Sequence, residues 1–343
     1  MKAHFDSKPV VETSPRVLRG LVGDIGGTNA RFAIAERTTS EDGKKSTKLS
    51  SFKALETADH ANVYDALDDY FDIIGAKPDL DFTTIAVAGP VKNGHIKFTN
   101  LDWEVDEGLL AKKAQVKTSR LINDYAALAF ALPHLQDADT NAIGPVKKGF
   151  GDVHAVMGAG TGFGASVLVG GEYGPYCLST ESGHMSFAPV NDYEVEILRF
   201  VRKKHGRATI ETMLSGPGLV NIYQAIAQIR GEIAEDLTPA QITHLEGEDA
   251  QGCRYTVEAF LDILASVCGD LALSHGATSG MFIAGGVAPR LIKHIDELRF
   301  RARMEAKAPL ANLVASIPSH IIIHPYAALL GSANALTDQQ ILA

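Results

Sequence analysis

Short apolar runs alternate along this chain with stretches of helical periodicity. Leu18-Arg-Gly-Leu-Val-Gly-Asp24 has a strand pattern and runs into Ile25-Gly26-Gly27-Thr28. Arg31 to Glu36 reads as a second strand, so the glycines join two strands in a hairpin. Thr38 to Ser50 is polar and predicts a loop. Val63, Leu67, Tyr70, Phe71 and Ile74 recur at helical spacing and predict an amphipathic helix over 62–74. Thr84 to Ala88 reads as a buried strand ending at Gly89-Pro90. Leu121-Ile122 predicts a short strand that leads into Asn123-Asp124, and Tyr125 to Leu132 a helix stopped by Pro133.

The second half opens in the same way. Ala155 to Gly164, followed by Ala165-Ser-Val-Leu-Val169, is again strand, glycine turn, strand, and it lies 134 residues after the first unit. The matching pattern points to an internal duplication of one hairpin unit. Helices are predicted over 194–204 and over 218–229, the latter entered through Ser215-Gly-Pro-Gly218. Met281 to Ala284 is a strand running into Gly285-Gly286, with helix from Pro289. His320 to His324 is a last strand, and Tyr326 to Leu336 a terminal helix. Strands and helices mix throughout, so the fold class is α/β.

Composition adds exclusions. The 343 residues are 45% apolar and 21% charged, an ordinary globular balance, and the length predicts about two domains. Asp and Glu outnumber Lys and Arg by 41 to 32, a net charge of −9, which speaks against nucleic acid as a partner. The basic run Arg202-Lys203-Lys204 reads as a solvated helix face. Cys177, Cys253 and Cys268 are too few and scattered for a disulfide framework or a zinc site, and fit a reducing compartment. No apolar run approaches the ~18 residues that span a bilayer, and Met1 to Arg16 lacks the apolar middle of a signal peptide. A cytoplasmic protein with no membrane partner is expected.

Glycine lets backbone N–H groups approach an anion, and consecutive amides form an anion-binding concavity. In Gly23-Asp24-Ile25-Gly26-Gly27-Thr28 the amides and the Thr28 hydroxyl suit phosphate oxygens. The Asp24 carboxylate repels them unless a cation intervenes, which implies hydrated Mg²⁺. An ordinary hairpin turn is the plainer reading of such a stretch. A Walker A loop needs Gly-Lys-Ser/Thr before a helix, which is missing here, and a Rossmann loop needs its glycines between strand and helix. The turn at 158–164 offers Thr161, and Gly285-Gly286 suits a bare backbone against a base or ribose. Three such turns, each ending a buried strand, point to one bound nucleotide.

Asn123-Asp124, between strand and helix, suits helix capping; it equally suits a base, Asp124, that accepts a proton from a hydroxyl while Asn123 holds a neighbouring one. Phosphoryl transfer needs positioning more than a strong base. Glu181-Ser-Gly-His184 is either a surface loop or a pair of groups for vicinal hydroxyls; it lacks the third ligand a zinc site needs, and no residue is assigned to a metal. Glu211 is either a solvated helix residue or a second carboxylate for the same polyol.

Taken together, Leu21-Val-Gly-Asp-Ile-Gly-Gly-Thr-Asn-Ala-Arg31, Leu121-Ile-Asn-Asp124, Gly158-Ala-Gly-Thr-Gly162, Glu181-Ser-Gly-His184, Leu214-Ser-Gly-Pro-Gly218 and Phe282-Ile-Ala-Gly-Gly286 closely resemble the bacterial-type glucokinases of the hexokinase–actin–Hsp70 superfamily. The resemblance runs from about residue 18 to the C-terminus. It implies a two-lobed actin-like (ribonuclease H-like) fold with the active site in the interlobe cleft. The expected division is a loose extension over 1–17, a smaller lobe over 18–134 plus 325–343, and a larger lobe over 135–324. It further implies transfer of the γ-phosphate of Mg-ATP to the 6-hydroxyl of glucose, in a homodimer. Asp124 matches the family's catalytic base; Asn123, Asp124, Glu181, His184 and Glu211 match its sugar contacts. Gly23, Asp24, Ile25, Gly26, Gly27 and Thr28 match the ATP-phosphate loop, Thr161 a second phosphate contact, and Gly285 and Gly286 the adenosine side. Ser182 departs from the pattern, standing where glycine is expected, which bears on sugar specificity.

Two rivals fit less well. Repressor/open-reading-frame/kinase-type sugar kinases usually carry a cysteine-rich zinc motif that these three cysteines do not form. A sugar-sensing regulator needs a DNA-binding module, for which 17 residues before the first strand are too few.

Overall fold

The computed structural model describes residues 16–40, 44–75, 77–98, 101–145, 147–171, 174–244 and 250–342. The expected extension over 1–17 lies outside them except for Arg16 and Val17, which open the first strand. The chain divides into two compact units, Met1–Asp124 with Ala328–Ala343, and Tyr125–Ala327.

The first unit carries strands β1 (Arg16–Ile25), β2 (Asn29–Thr39), β3 (Lys45–Glu56), β4 (Phe82–Val87), β5 (His95–Lys97), β6 (Glu104–Asp106) and β7 (Thr118–Asn123), with helices α1 (Val63–Ile74) and α2 (Glu107–Ala114). Five strands form one sheet in the order β3-β2-β1-β4-β7. The first three pair antiparallel; β4 and β7 continue parallel to β1. One face packs Leu21, Ile25, Phe32 and Ile85 against Val63, Leu67 and Tyr70 of α1 and Leu110 of α2. The other packs Leu18, Val22 and Phe82 against Leu329, Ala333 and Leu336 of the returning C-terminal segment. The Asn62 side chain caps α1 by accepting from the Tyr64 and Asp65 amides.

Of the polar stretch 38–50, expected as a loop, 38–39 end β2 and 45–50 open β3, while 41–43 lie outside the described residues. Beta3 is an edge strand whose residues are exposed or half-buried, and an edge needs hydrogen-bonding register rather than an apolar face. Its Lys45, Lys48 and Lys53 are the charges that keep such an edge from pairing with other chains.

The second unit carries α3 (Asp124–Ala131, from its second residue on), β8 (Thr140–Ala142), β9 (Val153–Ala159), β10 (Phe163–Val169), β11 (Tyr176–Thr180), α4 (Asp192–His205), α5 (Ile210–Met213), α6 (Gly216–Arg230), α7 (Pro239–Ile242), α8 (Gln251–His275), β12 (Gly280–Ala284) and β13 (Ser319–Ile322). Its sheet runs β11-β10-β9-β12-β13-β8. Strands β9, β10 and β11 pair antiparallel, and β12 and β13 continue parallel to β9. That is the order and sense of the first sheet with one further edge strand, so the duplication read from two hairpins extends to five strands. Met157, Ile283 and Ile321 of this sheet share a core with Ile222 of α6 and Phe260, Leu264 and Leu271 of α8.

The division between the units falls after Asp124, ten residues earlier than the expected 134/135. The reason is packing: the Tyr125 hydroxyl donates to the Gly158 carbonyl at 2.7 Å, and a Cβ on Gly164 would lie 2.0 Å from the Tyr125 ring. The second boundary falls at Ala327/Ala328 rather than 324/325, inside the helix Ala327–Asn334.

Candidate active site

In the first unit, register brings the expected groups to one sheet edge. Beta1, β4 and β7 run parallel, with Ile25 opposite Val87 and Val87 opposite Asn123. The loop after Ile25, Gly89 after β4, and Asn123-Asp124 at the end of β7 therefore share the carboxyl edge, where open α/β sheets bind ligands. The Asn123 amide donates to the Gly89 carbonyl at 3.4 Å, and Asp124 opens α3. Both are half-buried.

Within the stretch 23–28 the residues divide. Gly23 and Ile25 lie inside β1: a Cβ on Gly23 would meet Ile85 at 2.7 Å, and the Ile25 side chain is fully buried in the core. Their side-chain positions serve packing. Gly26, Gly27 and Thr28 form the turn. Thr57 braces it, its hydroxyl donating to the Gly27 carbonyl and its amide to the Thr28 carbonyl, both at 2.9 Å. With the carbonyls engaged, the Gly27 and Thr28 amides carry no hydrogen bond among the described residues.

Asp24 faces Arg31 across the hairpin, and the guanidinium donates to its carboxylate at 3.0 Å. Burial pushes the Asp24 carboxyl above its ordinary value, with Arg31 opposing the shift. The cation that the sequence demanded beside Asp24 is thus supplied in part by the chain itself. No cluster of three or more His, Cys, Asp or Glu that could hold a metal exists among the described residues.

In the second unit, β9 ends at the turn Gly160-Thr161-Gly162, with Thr161 exposed. The Gly216 amide, at the start of α6, donates to the Gly160 carbonyl at 2.8 Å. Gly285 follows β12, and two residues on the Val287 amide donates to the Ala159 carbonyl at 3.1 Å, so both glycine turns lie at one edge. Glu211 is fixed there too, because its carboxylate accepts from the Phe163 amide at 2.9 Å. Glu181 and His184 flank a single turn after β11, both exposed, their Oε2 and Nε2 atoms 3.9 Å apart. Arg207 holds that turn by donating to the His184 carbonyl at 2.9 Å. Thr161, Glu181, His184, Glu211, Gly285 and Gly286 therefore cluster at one end of this sheet. A cavity of about 300 Å³ lined by Tyr193, Arg230, Tyr255 and Arg299 shares no residue with them.

The glycines of these turns fall into two groups. Gly158 and Gly285 are required by crowding, since a Cβ would lie 2.1 Å from the Ala284 carbonyl and 2.3 Å from the Ala159 carbonyl respectively. At Gly27, Gly160 and Gly286 a Cβ would meet no atom within 4 Å, and none of the three has positive φ. Nothing in the fold demands glycine at them, and each belongs to a turn expected to hold nucleotide.

Sequence reasoning missed Arg31, Tyr125 and Thr57. The Asp24–Arg31 pairing was within reach, because a hairpin turning at Gly26–Thr28 sets those two residues opposite each other. Tyr125 and Thr57 carried no signal, since each acts on backbone brought near by tertiary packing.

The family profile described as Glucokinase matches residues 21–339. A curated glucokinase from Caulobacter sp. (strain K31) is 43% identical over 321 residues, covering 93% of this chain and 95% of that protein. The crystal structure of a glucokinase from an Antarctic psychrotroph superposes with a TM-score of 0.84 at 35% identity, covering 93% of this chain and 98% of that one. The fold likeness reaches the glucokinase of Balamuthia mandrillaris, crystallised with glucose, at a TM-score of 0.71 and 18% identity over 92% and 93% of the two chains.

Proposed function

The chain belongs to the glucokinase family and is an ATP-dependent sugar kinase, and from that premise we propose how its residues divide the work. The acceptor is glucose and the reaction transfers the γ-phosphoryl group to its 6-hydroxyl. The observation that carries the assignment of sites is the set of glycines whose missing Cβ meets open space, at 27, 160 and 286. Bare backbone at these turns admits a nucleotide: the Gly27 and Thr28 amides with the Thr28 hydroxyl face phosphate, Thr161 gives a second phosphate contact, and Gly286 faces adenosine.

Asp124 accepts the proton of the 6-hydroxyl as its oxygen bonds to the γ-phosphorus and ADP leaves. The base need not be strong, because the hydroxyl gives up its proton late. Asn123, Glu181, His184 and Glu211 hydrogen-bond the other sugar hydroxyls. Holding the acceptor oxygen in line is worth more than base strength here.

The chain's donor set fits Mg²⁺ carried in with ATP. That ion keeps several waters and takes one or two carboxylates besides phosphate, and Asp24 is a half-buried carboxylate with Arg31 as its only partner among the described residues. When bound, the ion neutralises charge on the transferring phosphoryl group.

The test is ADP release from Mg-ATP with glucose, mannose, fructose, N-acetylglucosamine or no sugar, run on wild type and on Asp124→Asn. Turnover with glucose that vanishes in the variant, with glucose binding retained by calorimetry, is expected. Near-normal turnover in Asp124→Asn removes it from the base role.

A further inference from the structure

Ser182, at the position where the sequence reading expected glycine, is buried inside the turn that carries two exposed groups, Glu181 and His184. Its hydroxyl lies 2.8 Å from the Thr180 hydroxyl and 3.4 Å from Nε2 of His275, at the C-terminal end of α8. The Thr180 hydroxyl donates to the Ala165 carbonyl at 3.0 Å. A carbonyl can only accept, so the single Thr180 proton is committed to Ala165. Ser182 must then donate to Thr180 and accept from His275.

The donors consequently line up in one direction, His275 Nε2–H to Ser182, Ser182 to Thr180, Thr180 to the β10 backbone. This assigns the tautomer of His275, whose Nδ1 is buried with no partner among the described residues. Burial also holds the imidazole below its ordinary value, so it is neutral at pH 7. A proton on Nδ1 would have no acceptor, which agrees with that direction.

The Thr180–Ser182 bond spans Glu181, so both neighbours of that carboxylate are pinned. Elsewhere the turn is held from its far side, where the Met185 carbonyl accepts from the Ile210 amide at 2.9 Å, and from beneath, where a Cβ on Gly183 would lie 2.5 Å from the Phe163 carbonyl. On the near side the hydroxyl chain adds side-chain bonds to the ladder pairing of Thr180 with Ala165 and to the bond that the Glu181 carbonyl accepts from the His184 amide at 3.0 Å. We propose that Ser182 and His275 are positioning residues that fix Glu181 for sugar binding through this directed chain, a device that a glycine at 182 cannot form. The proposal rests on Glu181 being a sugar ligand.

The experiment is steady-state kinetics on Ser182→Ala, His275→Leu, the double variant, His275→Gln and Glu181→Gln, varying glucose and ATP separately. Each single loss should raise KM for glucose about two- to tenfold, the weight of one neutral hydrogen bond. It should leave kcat and KM for ATP unchanged. The double variant should be no worse than the worse single one, because both break the same chain. His275→Gln keeps a side-chain N–H donor and should restore KM toward wild type, which a purely structural contribution of the ring would not do. If Glu181→Gln raises KM for glucose while Ser182→Ala and His275→Leu leave it unchanged, the positioning chain is wrong. If Glu181→Gln also leaves KM unchanged, the sugar assignment of the turn fails and takes the proposal with it.

Discussion

Gly285 and Gly286 are neighbours with opposite reasons for being glycine, so alanine at each should fail in opposite ways. Gly285 has φ of +86°, and its Cβ would lie 2.3 Å from the Ala159 carbonyl. The left-handed backbone costs an L-residue about 1–2 kcal/mol, and forcing a methyl against fixed backbone adds about 1–3 kcal/mol. A loss of about 2–5 kcal/mol corresponds to a fall in Tm of about 5–15 °C for a unit of this size. Gly286 is exposed and its Cβ meets nothing within 4 Å, so Gly286→Ala should leave Tm within about a degree of wild type. If adenosine lies against that backbone, the methyl intrudes on the ligand instead, at about 1–3 kcal/mol, which is about a 5- to 150-fold rise in KM for ATP. KM for glucose should be unmoved. Thermal melts and ATP titrations on the two variants make the comparison. A Gly286→Ala enzyme with normal KM for ATP refutes the nucleotide assignment, and one that melts as early as Gly285→Ala refutes the packing argument.

Asp24 should carry a stability cost in return for its role. Burial raises its carboxyl above the ordinary value, so the folded state binds this proton more tightly than the unfolded chain. Its contribution favours folding at low pH and declines as pH rises from the ordinary value through the folded one. Asp24→Asn should therefore gain Tm relative to wild type across that window while losing activity; a constant Tm difference from pH 3 to 7 would contradict this. Glu211→Gln keeps an oxygen for the Phe163 amide but loses a charged acceptor, so KM for glucose should rise about 10- to 100-fold with Tm little changed. An unaltered KM would return Glu211 to a purely structural place.

The hairpins, their turns and the short buried strands were legible because each states itself locally: an apolar run closed by glycine has few other ways to fold. The long helix α8 was not. It spans 25 residues and buries not only Phe260, Ile263, Leu264 and Val267 but also Ala259 and Ser266 to one side of that row and Leu261, Ala265 and Ala272 to the other, so it lacks the single apolar stripe by which a surface helix is read. Beta3 was missed for the converse reason, being too polar. In the site, residues with chemistry of their own stood out, whereas groups that position them did not. Ser182 was visible only as a departure, and its partner His275 lies 93 residues away, a distance no local pattern spans.

The duplicated hairpins differ at one matched position, and the difference explains a glycine. In the first unit the next-to-last register pair before the turn is Asp24–Arg31; in the second it is Gly158–Gly164. Gly164 lacks a side chain because Tyr125 occupies its place, the ring 2.0 Å from where a Cβ would stand and the hydroxyl on the Gly158 carbonyl, whereas Gly158 itself is crowded by Ala284. If that exchange is the cause, the two sites must couple. Gly164→Ala alone drives a methyl into the ring and should cost about 1–3 kcal/mol. Tyr125→Ala alone empties the site and should cost about 3–5 kcal/mol, as large-to-small aromatic changes do. Together the methyl has no ring to meet, so the double variant should be no less stable than Tyr125→Ala. The sum of the single losses would then exceed the double loss by about 1–3 kcal/mol, well outside the scatter for independent sites. Chemical denaturation of the four proteins measures this. Strict additivity would mean that Gly164 is glycine for a reason unrelated to Tyr125.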